Sequence, residues 1–182
     1  MKKLYTLALA ALFSLGLSVA PAMAQDAKPL NVAVVDIQAL LKDSNGAKSI
    51  ESQLETIRKN FQSEVEKEEK KLRETEKSIL DQKDKLSQED FKAKATDFQK
   101  QVADSQKKVQ ERKGKLDKAL ASAVGKLRTE IVKIVAEIGD AKKLDLVLAR
   151  TDVVIVSKDM DITAQVMEKL NASLPSVQVT VE

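Results

Sequence analysis

The chain has 182 residues, of which 32% are charged and 3% are aromatic, with 31 Lys and Arg side chains against 28 Asp and Glu. It contains no His and no Cys, so the commonest general base, the thiolate nucleophile and the usual zinc ligands are missing. Carboxylate pairs and Ser or Lys nucleophiles remain available, but the sequence does not gather them into a recognisable catalytic site. We therefore predict no enzyme activity, no catalytic residues, no metal site and no cofactor.

Residues 1–24 have the order of a cleaved secretory signal peptide. Two lysines precede an apolar stretch at residues 4–19, and AMA at residues 22–24 follows as the cleavage site. The alternative is an anchoring helix, but about 16 apolar residues are fewer than the roughly 20 that a membrane span requires. Cleavage after Ala24 leaves 29 basic and 28 acidic side chains, a net charge of +1. This balance, together with export, argues against nucleic-acid binding.

The segment after the signal peptide predicts a strand and a short helix. NVAVV at residues 31–35 is a short apolar run, and Asp36 can cap a brief helix that continues through residue 41. SNG at residues 44–46 then predicts a turn. We assign residues 25–49 to one half of a small α/β body.

Two long helices are predicted by apolar residues that recur in steps of three and four, as in a coiled coil. We call the positions that face the partner helix the seam. The first seam comprises Ile50, Leu54, Ile57, Phe61, Val65, Glu68, Leu72, Thr75, Ile79, Gln82 and Leu86. The second comprises Phe91, Ala95, Phe98, Val102, Ser105, Val109, Arg112, Leu116, Leu120, Val124, Leu127, Ile131, Ile134 and Ile138. This helix ends either at Gly139, as a C-cap, or at Ala141.

KLSQEDF at residues 85–91 separates the two seams and predicts the tip of a helical hairpin. Ser87 can act as N-cap, with Asp90 three residues later in a variant of the capping box. Leu86 and Phe91 then occupy the two positions of a hydrophobic staple, so we expect them to pack the turn. The alternative is a single helix that continues through residue 87, since Ser is tolerated inside helices.

Two observations favour the hairpin over a single helix. Folding the chain near residue 88 places Phe61 opposite Leu116, and each lies where its seam has two successive steps of four. Residues 51–90 carry 9 basic and 12 acidic side chains, whereas residues 91–128 carry 11 and 4, so the arms are oppositely charged and attract modestly. We therefore assign residues 50–138 to a coiled-coil hairpin arm.

The remaining residues, 139–182, return to strand patterns and form the second half of the body. LDLVL at residues 144–148 and VVIV at residues 153–156 predict strands, and a last helix is predicted from Asp161. Its apolar face comprises Ile162, Val166, Met167 and Leu170. Residues 177–181 alternate Val with polar residues and predict an edge strand. The fold class is therefore α+β, with a helical hairpin projecting from a small sheet. A body of this size without disulfides favours self-association.

The sequence resembles the Skp/OmpH family of periplasmic chaperones over nearly all of the mature chain. Its most specific parts are VVDIQALL at residues 34–41, the LDLVL strand, and DIT at residues 161–163, while LSQEDF lies at the hairpin turn. Family members commonly have Gly just before the LDLVL-like strand and an aromatic residue in the next strand. Lys143 and Ile155 hold those places here.

The resemblance implies a homotrimer in which three helical arms project from a small β-body around a cavity. It also implies an ATP-independent periplasmic holdase for unfolded outer-membrane β-barrel proteins. A structural adaptor whose hairpin tip docks one fixed envelope partner is the alternative function, and anionic lipid headgroups are a further candidate partner.

Two sets of residues are assigned to this function. Client binding on the arm surface is assigned to seven lysines of the basic second arm: Lys92, Lys94, Lys100, Lys107, Lys108, Lys113 and Lys115. The alternative is that these lysines form an ordinary solvated helix face. Oligomerisation of the body is assigned to the apolar residues of its strands: Val32, Val34, Leu146, Leu148, Val154 and Val156.

Overall fold

Residues 28–181 are described by a computed structural model, so the predicted signal peptide lies outside the described residues. In chain order the elements are β1 (Val32–Val35), α1 (Ile37–Asp43), α2 (Asn45–Asp81), α3 (Gln88–Lys142), β2 (Leu146–Ala149), two 3-10 turns (Arg150–Asp152 and Lys158–Met160) and α4 (Thr163–Ser173). The predicted α+β class, with a long helical hairpin and a small sheet, is confirmed. None of the described helices is long and apolar enough to cross a membrane.

Side-chain N-caps set the starts of α1 and α2. The Asp36 carboxylate accepts the Ala39 N–H at 2.8 Å, as predicted for an N-cap. The turn predicted at residues 44–46 is wrong, because the reversal needs only Ser44. Its hydroxyl accepts the Ala47 N–H at 3.2 Å, while its own N–H extends the end of α1. Asn45 donates its N–H to Asn171 on α4 at 2.7 Å, so two N–H groups in the first turn of α2 have side-chain acceptors.

The hairpin tip has the predicted cap. The Ser87 hydroxyl accepts the Asp90 N–H at 3.0 Å and lies 2.6 Å from an Asp90 carboxylate oxygen, so α3 begins at residue 88. The first arm helix ends at Asp81, and residues 82–87 make the reversal. The alternative of one continuous helix is therefore wrong.

The two strands pair in parallel although α2 and α3 separate them in sequence. Val32 lies opposite Leu146 and Val35 lies opposite Ala149. Asn31 anchors the start of this pair, because its side-chain amide donates to the carbonyls of Lys142 and Lys143 at 2.9 and 3.1 Å. The end of α3 is thereby tied to the start of β1, which brings both halves of the body together.

The end of α3 lies beyond both predicted positions. The helix passes Gly139 and Ala141 and stops at Lys142. The next residue, Lys143, adopts a left-handed conformation with φ 54° and ψ 46°. Its N–H donates to Asp140 O, and the next N–H donates to Gly139 O at 2.9 Å, which is the hydrogen-bond pattern of a Schellman motif.

Three predictions in the C-terminal region need correction. Residues 153–156 are not a strand, because the two-stranded sheet offers them no partner within the described chain. The last helix begins at Thr163 rather than Asp161, whose carboxylate instead accepts the Thr163 N–H at 2.9 Å. Residues 177–181 are extended but pair with no strand of the described chain, and they lie against α2 instead.

The hydrophobic core lies where the base of the arm meets α1, α4 and one face of the sheet. The base of α3 contributes residues that are 0–4% exposed: Ala123, Leu127, Ile131, Ile134 and Ile138. Leu40 from α1 and Val166 and Leu170 from α4 are fully buried in the same cluster. The arm is thus rooted in the core by α3, and its outer part extends away from it.

Candidate functional site

The arm is a two-helix structure without a closed core. All predicted seam positions from Leu54 to Leu86 and from Phe91 to Leu116 are half-buried, and the residues between them are exposed. Since α2 alone has 37 residues, its length at 1.5 Å per residue is about 55 Å. A long two-sided surface is therefore open to solvent along most of the arm.

The seam packs loosely at its middle. A cleft of about 580 Å³ lies between the two arm helices, with Phe61, Leu72 and Val109 among its lining residues. The polar seam residues Glu68 and Ser105 also line it, because they replace apolar side chains that would fill the space between the helices. The cleft marks the part of the arm where polar residues interrupt the apolar seam.

Arg112 links the two arm helices beside this cleft. Its guanidinium forms a two-pronged ion pair with Glu64 on α2 and lies 5.3 Å from the centre of the Phe61 ring. Both side chains of the ion pair are about half exposed, so the contribution is modest, about 0.5–1 kcal/mol for each interaction. The polar seam residue that the sequence left unexplained is thus a specific cross-arm contact.

The seven predicted client-binding lysines are all exposed on α3, but they do not form one stripe. In the seam repeat, Lys100 and Lys107 lie on the side of α3 opposite α2, whereas the other five flank the seam on both sides. Lys94 donates to Gln82 on α2 at 3.1 Å, and Lys107 lies 3.8 Å from Glu111. The positive charge is therefore distributed around the helix.

The residues predicted for oligomerisation fall on one face of the sheet and on the loop after it. Side chains alternate along each strand, and the face with Ala33, Val35 and Val147 packs on the helical core. The opposite face carries Val32, Val34, Leu146 and Leu148. Leu146 is 46% exposed, Val32 and Leu148 are half-buried, and Val34 is 2% exposed.

The loop after β2 exposes two apolar side chains. Val154 is 95% and Ile155 is 88% exposed, and the neighbouring Val156 is half-buried. β2 is an edge strand of the described two-stranded sheet, so its outer backbone groups have no strand partner there. An unpaired edge beside exposed apolar side chains favours pairing with another chain.

The junction between β1, α1 and α4 contains a carboxylate, that of Asp161, whose pKa is lowered. Hydrogen bonds from the hydroxyl and the N–H of Thr163 hold the pKa of Asp161 below its usual value, and the charge of Arg150 lowers it further. The Thr163 hydroxyl oxygen also accepts the Asp36 N–H at 2.8 Å. The described residues contain no group of three His, Cys, Asp or Glu side chains that could hold a metal ion. Asp161 thus serves as a cap, because its carboxylate accepts an N–H at the start of α4.

Gln53 is the residue that the sequence patterns missed. Its amide NH₂ donates to Val177 O at 2.7 Å and its carbonyl accepts the Val179 N–H at 3.0 Å. Ser49 Oγ holds the same amide at 3.0 Å. The alternating valines were a signal that residues 177–181 are extended, but nothing local indicated a helix side chain as their partner.

Comparison with known proteins agrees with this architecture. The model of the family described as outer membrane protein (OmpH-like) matches residues 31–170. A solved structure from Caulobacter crescentus CB15, described as an OmpH-like outer membrane chaperone, superposes with a TM-score of 0.79 at 21% identity. The match covers 85% of this chain and 92% of that one. At this identity the likeness shows the fold alone, and no curated protein matches the sequence. Because the family model covers most of the chain, the protein belongs to the OmpH-like outer membrane protein family.

Proposed function

We propose that this protein is a nucleotide-independent holdase chaperone of the periplasm that binds unfolded outer-membrane β-barrel proteins. The observation that carries the proposal is the arm, a long helical hairpin that projects from a small body with both of its sides exposed. Such an arm offers many weak contacts and no enclosed pocket for one small ligand. Membership of the OmpH-like family and the likeness to a protein described as a chaperone support the same function.

The working assembly is a homotrimer whose arms surround the client. A two-stranded sheet has little core of its own, while β2 has an open edge and Val154 and Ile155 are almost fully exposed. A second and third copy would pair this edge and cover the face that carries Leu146. Each arm would then extend from a common body, which creates a cavity between them.

Charge would draw clients to the second arm helix. The region from residue 91 to 128 carries 11 basic and 4 acidic side chains, and the seven lysines named above project from α3 into solvent. Unfolded chains with net negative charge are attracted to such a surface, and salt screens the attraction. Contacts distributed around the helix suit clients of different sequence better than one fixed partner. Anionic lipid headgroups would bind the same lysines, so they should be tested as competitors of client binding.

The test mixes the mature protein with a urea-denatured outer-membrane β-barrel protein, without nucleotide, and follows turbidity and complex mass. We expect a molar excess of the assembly to suppress aggregation in low salt and to lose client affinity as salt rises. Unchanged aggregation at that excess would refute the proposal.

A second experiment separates the holdase from a structural adaptor. Ser87→Ala removes only the tip cap, so a holdase should retain suppression of aggregation close to that of the unsubstituted protein. Replacing Lys100 and Lys107 with Gln should weaken client binding more than replacing Gln99 and Gln101, two exposed residues of α3, with Ala. If the tip variant alone abolished binding, the adaptor function would be favoured.

A further inference from the structure

Residues 177–181 are bound to the base of the arm as an extended peptide. Val177 is 3% exposed, Val179 is 8% exposed and Val181 is half-buried, whereas Gln178 and Thr180 face solvent. This is the alternation of a half-buried β-strand, although the segment pairs with no strand in residues 28–181. Its valines instead pack against the core cluster at the root of the arm. We call residues 177–181 the strap. The surface at the base of the arm on which they lie, which includes Ser49 and Gln53, is the strap groove.

The groove recognises the strap backbone as well as its side chains. A neighbouring strand would offer one donor and one acceptor to alternate residues of the strap. The Gln53 side chain supplies both, because its NH₂ donates to Val177 O and its carbonyl accepts the Val179 N–H. Ser49 Oγ and Ser49 O accept from the same Gln53 amide nitrogen at 3.0 and 3.1 Å, which orients it. Backbone hydrogen bonds with pockets for alternate side chains are the general features of extended-peptide recognition.

The groove continues beyond the strap along the arm. Val181 borders a cleft of about 690 Å³ between the arm helices, where Ile57, Phe61 and Leu116 provide apolar surface. Four basic and two acidic side chains line the same cleft, so its charge is positive: Arg58, Lys67, Arg112, Lys113, Glu64 and Asp117. A peptide longer than the strap therefore has further apolar and basic surface to contact.

We propose that the strap groove is a binding site for extended client segments with alternating apolar side chains, and that the strap is its built-in competitor. The inference rests on the proposed holdase function, since it supplies the client class. Transmembrane strands of β-barrel proteins alternate apolar and polar residues with a period of two, which is the pattern the strap presents. The family match ends at residue 170, so the strap lies outside the matched region.

The test uses the full chain and two labelled peptides, PSVQVTVE, which is the sequence of residues 175–182, and PSSQSTSE, in which the valines are Ser. Val177→Ser/Val179→Ser should release the strap and leave the groove open. Gln178→Ser/Thr180→Ser is the matched control, because those side chains are exposed. Fluorescence anisotropy should show the valine peptide binding to the valine variant at least 10-fold more tightly than to the control variant or the unsubstituted chain. Binding of the serine peptide should remain weak throughout.

Hydrogen exchange on the unsubstituted chain gives a readout that does not depend on how the valine variant folds. A peptide copied from a transmembrane β-strand of a barrel protein should displace the strap and speed exchange at residues 177–181, whereas its valine-to-serine counterpart should not. Gln53→Ala should speed exchange of the Val179 amide, while Gln62→Ala should not, because Gln62 bonds only to Glu66 on the same helix.

Two results would overturn the inference. One is a folded valine variant that binds both peptides equally or neither of them. The other is strap exchange that does not change when the strand peptide is added. Both readouts are independent of client aggregation. A failure of the groove therefore leaves the holdase proposal standing, and a failure to suppress aggregation leaves peptide binding measurable.

Discussion

Replacing Lys143 with Gly should stabilise the protein, because Lys143 follows α3 at φ 54° and ψ 46°. In this left-handed conformation the Cβ of an L-residue crowds the following carbonyl at a cost of about 1–2 kcal/mol, which Gly avoids. Gly also gives the unfolded chain more freedom, which offsets about 0.4–1 kcal/mol of that gain. The expected net increase in the free energy of unfolding is therefore about 0.5–1 kcal/mol per chain.

Among the described residues, no side-chain contact of Lys143 opposes this gain. The Lys143 side chain is exposed, and the hydrogen bonds that the residue makes there come from its backbone. Its N–H donates to Asp140 O at 3.2 Å and its carbonyl accepts from Asn31 at 3.1 Å. Gly retains both bonds, so the substitution changes the backbone preference and little else.

The adjacent lysine provides the control. Lys142 is the last residue of α3, in right-handed helical conformation, so Lys142→Gly should lower the free energy of unfolding by about 0.5–1 kcal/mol. Urea unfolding followed by far-UV circular dichroism, at equal protein concentrations, should move the two midpoints in opposite directions with unchanged slopes. A decrease in both midpoints would refute the account of the helix end.

Three further predictions test the arm, the sheet face and the α4 cap. Arg112→Ala should destabilise the arm by about 1–2 kcal/mol in low salt and less in high salt, with Lys113→Ala nearly neutral, as measured by helix content on heating. Leu146→Asp should dissociate the proposed trimer in light scattering while the chain stays folded, because in that trimer the charge would be buried between copies, whereas Leu80→Asp at the exposed arm surface should not. Asp161→Asn should lower stability at pH 7 by less than about 1 kcal/mol, given the exposure of the carboxylate. The folded-state pKa of Asp161 is depressed, so this contribution is present above the unfolded pKa of about 3.9 and lost as pH falls through the folded value. A difference in stability that did not shrink as the pH was lowered from 7 toward 2 would contradict this origin.

Local patterns were sufficient for the arm and for the first strand and helix. The seam needs only a period of three and four, and the caps at Asp36 and Ser87 need only a side chain within three residues of its target N–H. Such features depend on neighbours along the chain. They were therefore readable without knowledge of the fold, and the half-buried seam in the structure agrees with them.

The patterns failed where a segment depended on a partner. Residues 153–156 have strand composition but no neighbouring strand in the described chain, and residues 177–181 found Gln53 on α2 instead of a strand. The helix end at Lys142 was missed as well, because Gly139 is a good C-cap only if the chain must turn there. Asn31 binds the carbonyls of Lys142 and Lys143 instead, which sets the stop three residues later.

Periodicity and caps thus specify the two arm helices, the tip and the first strand and helix of the body, because those elements depend on residues close in sequence. The strap, the cross-arm contact of Arg112 and the left-handed Lys143 follow from groups 48 to 126 residues apart that meet only after folding. A hydrogen-bond donor such as the Gln53 amide has many acceptors available in the unfolded chain. Only the packed base of the arm places one extended backbone beside it, and this is why the strap groove is visible in the tertiary structure and not in the sequence.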